Sequence, residues 1–231
     1  EDWLALLGWT AITIAYLSWV IQDPSEMDPE KARQFFGWHG VGHSVEHFLV
    51  TLTLVAGVQL ATDGSLRPLG LPGNLTWRGL LGGVAVGVAY FLGLSVLLPS
   101  ILSQISSWLT QAHPNVLQNS IPDLPTFLRA VTIVFFSGAL REELWRTTTI
   151  RAWERVAGPK GAWFGYGFSA VAFALGHGYQ GRVAIAITGL LGLLMGLRWL
   201  RNRDLVELIV IHLAFDLCVL IVLFATGTAP R

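Results

Sequence analysis

Long apolar stretches separated by short polar segments dominate this chain. A membrane-spanning helix needs about 20 apolar residues, each adding about 1.5 Å of rise. Stretches of this kind lie at residues 3–21, 41–61, 79–99, 127–146, 162–178, 183–199 and 205–226. An eighth span follows if residues 100–112 re-enter the membrane. The pattern predicts an all-α fold, a polytopic transmembrane bundle of seven to eight helices.

The composition supports a membrane protein and excludes some partners. Of the 231 residues, 53% are hydrophobic and 13% are charged, whereas soluble domains carry about 25% charged residues. The formal net charge is zero, so the sequence indicates no nucleic-acid partner. We therefore expect residues 1–231 to form a single membrane-embedded domain of a multi-pass integral membrane protein, in contact with membrane lipid.

The basic residues indicate an orientation. Several flank two short turns of the predicted bundle, and cytoplasmic turns are enriched in Lys and Arg. If these turns are cytoplasmic, the segment 127–146 runs from outside to inside and residues 23–33 lie outside. The flanking residues are Arg151, Arg155 and Lys160 at one turn and Arg198, Arg201 and Arg203 at the other.

Polar side chains within apolar segments are the candidates for chemistry, since charges inside a bilayer are costly. The segment Gly158–Gly161 predicts a helix stop and a turn. Glu142 lies about 16 residues before this turn and His177 about 17 after it, so an antiparallel pair puts both at a depth of about 25 Å. Equal depth would let the carboxylate and the imidazole share one water molecule. His212 is about eight residues into its span and needs a tilt or a shifted helix boundary to reach the same depth.

Helical spacing also predicts which of these polar side chains are neighbours. Glu142 and Arg146 are one turn apart, and Glu143 points about 100° away. Arg146 can neutralise either acid, because Glu143 is three residues from it. On the last span, His212 and Asp216 are one turn apart and share a face.

Three motifs resemble those of one family. The segments Glu142–Arg146, Phe173–His177 and His212–Asp216 are similar, in order and separation, to motifs of the CAAX protease and bacteriocin-processing enzymes, the Abi-type intramembrane proteases. The resemblance covers about residues 127–220, which we take as the motif-bearing core of the domain. It implies a metal-independent glutamate peptidase without cofactors, with its active site inside a bundle of about eight spans.

The resemblance also implies residue roles. Glu142 and His177 would activate a water for attack on a peptide carbonyl, and His212 with Asp216 would stabilise the oxyanion. Independently of the resemblance, Phe173 is one helical turn before His177, and this spacing predicts that it walls the ring of His177. The expected catalytic residues are Glu142, His177, His212, Glu143 and Asp216, and the expected substrate contacts are Arg146, Phe173 and His43. The expected substrate is a peptide or protein, with or without an attached lipid.

Two positions differ from the family pattern and motivate an alternative function. Two residues separate Glu143 from Arg146, where the family has three, and Asp216 stands where the family commonly has Asn. An ionised Asp cannot donate to an oxyanion, so Asp216 either carries a proton or orients His212. The alternative is a non-catalytic membrane scaffold or binder with the same fold.

A histidine stripe provides a further alternative. His39, His43 and His47 recur every four residues beside Glu46 and predict one helix face. Imidazoles at this spacing suit a divalent metal, so a zinc-dependent membrane hydrolase that combines the stripe with Glu142 or His177 is one interpretation. The other is a polar stripe that lines the entrance of a helical cavity and contacts substrate.

Overall fold

The fold is known from a computed structural model, which describes residues 7–14, 31, 34–71, 73, 76–105 and 120–227. The long elements of this part are all helical, and residues 7–14 are also helical. Two π-helical segments, Phe91–Leu97 and Val134–Leu140, join α2 to α3 and α4 to α5. The helices are α1 (Trp38–Asp63), α2 (Trp77–Tyr90), α3 (Leu98–Ile105), α4 (Leu124–Ile133), α5 (Arg141–Gly176), α6 (Arg182–Asn202) and α7 (Leu205–Gly227).

Five helical lengths among the described residues are long and apolar enough to cross a membrane, which confirms the predicted all-α, multi-pass architecture. They are Trp38–Asp63, Trp77–Gln104, Leu124–Gly176, Arg182–Asn202 and Leu205–Thr226. The predicted number of seven to eight helices is not confirmed and stays a prediction. The predicted span 3–21 lies mostly outside the described residues. Residues 100–105 continue the span that begins in α2 instead of re-entering, and residues 106–112 lie outside the described part.

The longest helical length reverses direction at the predicted turn. Ala157 and Gly158 have non-helical backbone angles, and Gly158 has a φ of 60°, a conformation that glycine adopts without steric cost. Beyond the turn the chain packs back on itself, since a Cβ added to Gly165 would lie 2.9 Å from the Cα of Ile150. The two arms of α5 therefore form the antiparallel pair expected from the sequence.

Close helix contacts assemble the bundle around these two arms. The largest buried cluster joins α5, α6 and α7 through large apolar side chains that include Ile150, Phe173 and Trp199. On the other side of α7, Gly83 and Gly87 of α2 let the two backbones approach, because a Cβ at Gly87 would lie 2.4 Å from the carbonyl oxygen of Ile211. Small residues at helix crossings are typical of membrane bundles, where close packing provides much of the attraction between helices.

The bundle has two chemically different ends. We call the end that carries residues 63–71, 76–78, 151–160 and 198–205 the basic end, and the end that carries residues 34–38, 120–124, 177–182 and 223–227 the opposite end. At the basic end, the ion pairs Arg151–Asp63, Arg155–Asp63 and Arg203–Glu154 tie α1, α5 and the turn before α7 together.

The same end also ties the turn before α7 to α5. Arg203, just before α7, pairs with Glu154, which is four residues before the Gly158 turn.

Candidate active site

A cavity of about 180 Å³ lies inside the bundle, large enough for roughly six water molecules at their bulk volume. Its walls come from the π-helical segment after α4, both arms of α5, α6, α7 and the loop that follows α5. Glu142, His177, His212 and Asp216 all line it. Four of the five expected catalytic residues, drawn from three distant motifs, therefore share one cavity.

Glu143, the fifth, lies behind the cavity in a buried ion pair. Its Oε2 accepts a hydrogen bond from Nε of Arg146 at 3.0 Å, and its Oε1 accepts one from Nη2 at 3.3 Å. Neither side chain has any exposed surface. The guanidinium of Arg146 also lies 4.4 Å from the ring centroid of Phe173. With only two residues between them, Glu143 and Arg146 form a two-point ion pair on the i, i+3 spacing.

His212 connects this ion pair to the cavity. Its Nδ1 lies 2.7 Å from Oε1 of Glu143. Because Glu143 is held as a carboxylate by Arg146, Nδ1 donates this hydrogen bond and Nε2 points away from Glu143. That Nε2 lies 3.7 Å from Oε2 of Glu142 and 3.7 Å from Oδ2 of Asp216. The Glu143–Arg146 pair therefore fixes the orientation of the imidazole whose other nitrogen faces the two cavity carboxylates.

Glu142 is buried but more loosely held than its neighbour. Its carboxylate lies 4.0 Å from Nη2 of Arg141 and 3.7 Å from Nε2 of His212. These contacts are longer than hydrogen bonds, which leaves the oxygens able to bind a water molecule in the cavity.

The protonation of His177 follows from its hydrogen bond. Its Nδ1 lies 2.9 Å from the backbone carbonyl oxygen of Phe173. A carbonyl oxygen only accepts, so Nδ1 carries the proton and the neutral ring has its lone pair on Nε2. The ring also packs edge-on against Phe173, with 4.6 Å between ring centroids. A single residue, one turn earlier in α5, thus sets both the tautomer and the orientation of His177, as its spacing predicted for the ring wall.

Asp216 reaches the cavity beside the π-helical segment that precedes α5, where the backbone is wider than a regular α-helix. A Cβ added to Gly138 would lie 2.8 Å from Oδ2 of Asp216, so a glycine is needed for the carboxylate to reach its place. Gly138 belongs to the π-helical segment Val134–Leu140, just before Glu142. Such π segments often occur at functional sites. The apolar stretch 127–146 did not predict this π-helical segment, for which Gly138 was the one local signal.

Tyr179 is a cavity residue that the sequence analysis missed. It follows His177 by two residues, and its hydroxyl oxygen accepts a hydrogen bond from Nε2 of Gln180 at 2.8 Å. Burial raises the pKa of the Tyr179 phenol, so the hydroxyl keeps its proton and can donate it toward the cavity. Its position in the short loop after the Phe173–His177 motif was the available signal.

Of the three expected substrate contacts, one lines the cavity. Phe173 does so, whereas Arg146 is fully enclosed by Glu143 and its neighbours and His43 lies on an exposed face of α1. The guanidinium of Arg146 is occupied by Glu143 and has no exposed surface, whereas the side chain of His43 is 55% exposed. Substrate contacts by these two residues stay predictions.

The histidine stripe has the predicted shape but a different location. Ring centroids are 5.8 Å apart for His39 and His43 and 3.9 Å apart for His43 and His47, so the three rings do share a face of α1. None of them is among the residues that line the cavity, so the interpretation of the stripe as the cavity entrance stays a prediction. Within the described part of the chain, no group of three or more His, Cys, Asp or Glu side chains is arranged to hold a metal ion.

A comparison with known families identifies this region. Residues 123–218 match the family model described as Type II CAAX prenyl endopeptidase Rce1-like. The match confirms the resemblance seen in the sequence and spans every residue of the three motifs. No curated protein and no solved structure is similar enough to the chain to count as a match.

The family model covers residues 123–218, less than half of the chain, and apolar helices extend on both sides of it. The chain is a multi-pass integral membrane protein. The match to the CAAX endopeptidases implies a protease, and hence a hydrolase, within a membrane.

Proposed function

We propose that the protein is an intramembrane endopeptidase in which Glu142 and His177 activate a water molecule for attack on a peptide bond. The observation that supports this most is the shared cavity, lined by Glu142, His177, His212 and Asp216. A carboxylate and an imidazole within one enclosed, mostly apolar volume are the groups that general acid–base catalysis uses. The predicted bundle of seven to eight helices is the scaffold we expect around it.

In the proposed reaction, one water molecule bridges Glu142 and His177. The loosely held carboxylate of Glu142 accepts one hydrogen of the water, and Nε2 of His177, which has a free lone pair, accepts the other. This arrangement aims the water oxygen at the carbonyl carbon of the substrate. As the new C–O bond forms, Glu142 takes the proton and the carbonyl oxygen becomes an oxyanion. Glu142 then returns the proton to the amide nitrogen while the C–N bond breaks, which releases an acid and an amine.

His212 is the proposed donor to the oxyanion. Its Nδ1 donates to Glu143, so Nε2 can donate only when the ring carries two protons, and the carboxylates of Glu142 and Asp216, each 3.7 Å from Nε2, favour this imidazolium form. A well-placed donor to a developing oxyanion contributes about 10²–10³ in rate. An ionised Asp216 cannot donate, and we therefore assign it to orienting His212 and propose the Tyr179 hydroxyl as a second donor.

The substitution Glu142→Gln tests the proposed function. It preserves the shape of the side chain and removes its ability to accept a proton, so we expect peptide cleavage to fall about 10²–10⁴-fold with an unchanged unfolding temperature. The assay uses an internally quenched library of apolar peptides with the purified protein in detergent micelles.

Glu46→Gln is the matched control, because it makes the same chemical change on the exposed face of α1. We expect this variant to cleave at the parent rate. Cleavage by Glu142→Gln at the parent rate would exclude the proposed base. A parent chain that binds these peptides and cleaves none would favour the non-catalytic binder, whereas activity lost to a chelator and restored by zinc would favour a metal-dependent hydrolase.

A further inference from the structure

The cavity is closed toward the basic end by a dense layer of apolar side chains. Ile150, Met195 and Leu208 belong to the largest buried cluster and have no exposed surface. They lie on α5, α6 and α7, each between the residues that line the cavity and the residues of the basic end. Trp199 of the same cluster, one turn further along α6, is also fully buried. A peptide therefore has no route to Glu142 from that side.

The cavity extends instead toward the opposite end. Along α7 its lining runs from His212 to Leu223, a distance of about 16 Å along the helix axis. At the far limit it is lined by Tyr179 and Gln180 of the loop between α5 and α6. Apolar side chains make up most of this outer part: Phe35, Phe36, Ile133, Val134, Val219, Leu220 and Leu223.

The two ends of the bundle differ in basic residues, which indicates how the bundle is oriented in a membrane. Cytoplasmic ends of membrane proteins carry an excess of Lys and Arg. Among the described residues, Lys31, Arg129 and Arg182 lie at or near the opposite end. The basic end carries Arg67, Arg78, Arg151, Arg155, Lys160, Arg198, Arg201 and Arg203. This difference places the basic end in the cytoplasm.

We propose that the cavity opens to the non-cytoplasmic side of the membrane and that its substrate is an apolar peptide segment presented from that side. The direction of opening rests on the sealed layer, the course of the lining and the distribution of basic residues. The identification of the occupant as a substrate rests on the proposed function above.

The chemistry of the lining narrows the substrate further. Glu142 and Asp216 are the acidic side chains among the described lining residues, and Nε2 of His212 lies 3.7 Å from each of them. These groups lie in the inner part of the cavity, whereas the outer part is mostly apolar. The cavity fits an uncharged, apolar stretch of chain that enters past this outer part.

Cysteine accessibility tests the direction of opening. The natural Cys218 is first replaced by Ser, and single cysteines are then introduced by Lys160→Cys at the basic end, Pro122→Cys at the opposite end and Ser137→Cys in the cavity wall. A membrane-impermeant maleimide is added to right-side-out and to inside-out vesicles. We expect Pro122→Cys and Ser137→Cys to be labelled at least tenfold more in right-side-out vesicles, and Lys160→Cys at least tenfold more in inside-out vesicles.

Each other pattern overturns the proposal. Labelling of Ser137→Cys from the same side as Lys160→Cys would show that the cavity opens at the basic end. Labelling of Lys160→Cys in right-side-out vesicles would reverse the orientation, and a Ser137→Cys protein inaccessible from both sides would exclude an open cavity. Val219→Cys, at another point of the lining, replaces Ser137→Cys if that variant does not fold.

The cysteine labelling tests the direction of opening independently of the proposed peptidase activity. Labelling does not depend on catalysis, so the pattern should be identical in the Glu142→Gln background, whatever the peptidase assay gives. As a functional measurement, an apolar peptide fused to a folded soluble carrier, which cannot cross the bilayer, is added to each type of vesicle. We expect cleavage in right-side-out vesicles alone; cleavage confined to inside-out vesicles would overturn the assignment of the substrate's side.

Discussion

Two clusters of charged side chains lie at different depths of this bundle, and they use similar residues in different ways. At the basic end, each carboxylate has at least one arginine within an ion-pair distance, and the side chains are 11–39% exposed. In the candidate site, three carboxylates surround one imidazole, and the side chains are 0–20% exposed. The first cluster is Asp63, Arg151, Glu154, Arg155 and Arg203; the second is Glu142, Glu143, Arg146, His212 and Asp216.

The difference shows which charges hold helices together and which remain free for chemistry. The basic-end pairs join α1, α5 and the start of α7 and leave no carboxylate facing a cavity. In the site, Glu143 uses both oxygens on Arg146 and His212, whereas the adjacent Glu142 makes only contacts of 3.7 Å or longer to charged groups. Two neighbouring residues of one helix thus differ in role, because Glu143 points into a closed ion pair and Glu142 points into the cavity.

The largest difference between the clusters should appear on removing one arginine from each. Arg146→Met leaves Glu143 charged, buried and without its cation, which destabilises by about 3–5 kcal/mol. Arg155→Met leaves Asp63 paired with Arg151 in a partly exposed place, where an ion pair contributes about 1 kcal/mol or less. Unfolding of both variants in mixed micelles, by denaturant titration, measures these two values.

Arg146→Lys separates charge from geometry at the same position. A lysine keeps the positive charge but cannot make the two-point contact that the guanidinium makes with Glu143. We expect part of the stability to return, with His212 less firmly oriented and cleavage still reduced. If Arg146→Met and Arg155→Met lower the free energy of unfolding by the same amount, both clusters serve to hold the helices together.

The next prediction concerns the place of Asp216. Gly138→Ala puts a methyl group 2.8 Å from Oδ2 of Asp216 and must displace the carboxylate. Displacement of a positioning group by about 1 Å can reduce rates by about 10²-fold, so we expect kcat/KM to fall by about 10–100-fold with little change in stability.

Gly93→Ala is its matched control, because Gly93 lies in the other π-helical segment and a Cβ there meets no atom within 4 Å. This variant should keep the parent kcat/KM. If Gly138→Ala also keeps the parent kcat/KM, the exact position of the Asp216 carboxylate does not matter for the reaction, and the site needs less precise geometry than we infer.

In this protein, the sequence predicts how deep a polar residue lies along the bundle axis better than it predicts the direction in which its side chain points. The turn at Gly158 fixes the depth of Glu142 relative to His177, and both line one cavity as expected. The spacing of His39, His43 and His47 correctly predicts a shared face, but it does not tell whether this face lines the cavity, and none of the three is among the lining residues. In a membrane both faces of a helix can be apolar, so hydrophobic periodicity does not reveal which face packs inward.

Two other features had little signal in the sequence for a different reason. The π-helical segment before Glu142 arises from a local change in backbone pairing, and the single residue that reports it is Gly138. Tyr179 enters the cavity because the loop after α5 folds over it, and the path of a loop depends on the helices around it. The pairing of Glu143 with Arg146, in contrast, was predictable because it follows from helical spacing alone.

The smallest predicted effect concerns Tyr179. Tyr179→Phe removes the hydroxyl and keeps the ring, so we expect kcat/KM to fall by less than the 10²-fold typical of a principal oxyanion donor, since His212 would remain. Burial raises the pKa of this phenol, so the hydroxyl stays protonated and the loss should be the same throughout the neutral pH range. Tyr166→Phe, beside Gly196 and outside the cavity lining, is the control and should have no effect. If Tyr179→Phe is as active as the parent, Tyr179 does not donate to the oxyanion and His212 remains the only one of the two proposed donors. The loop after α5 would then contribute no catalytic group.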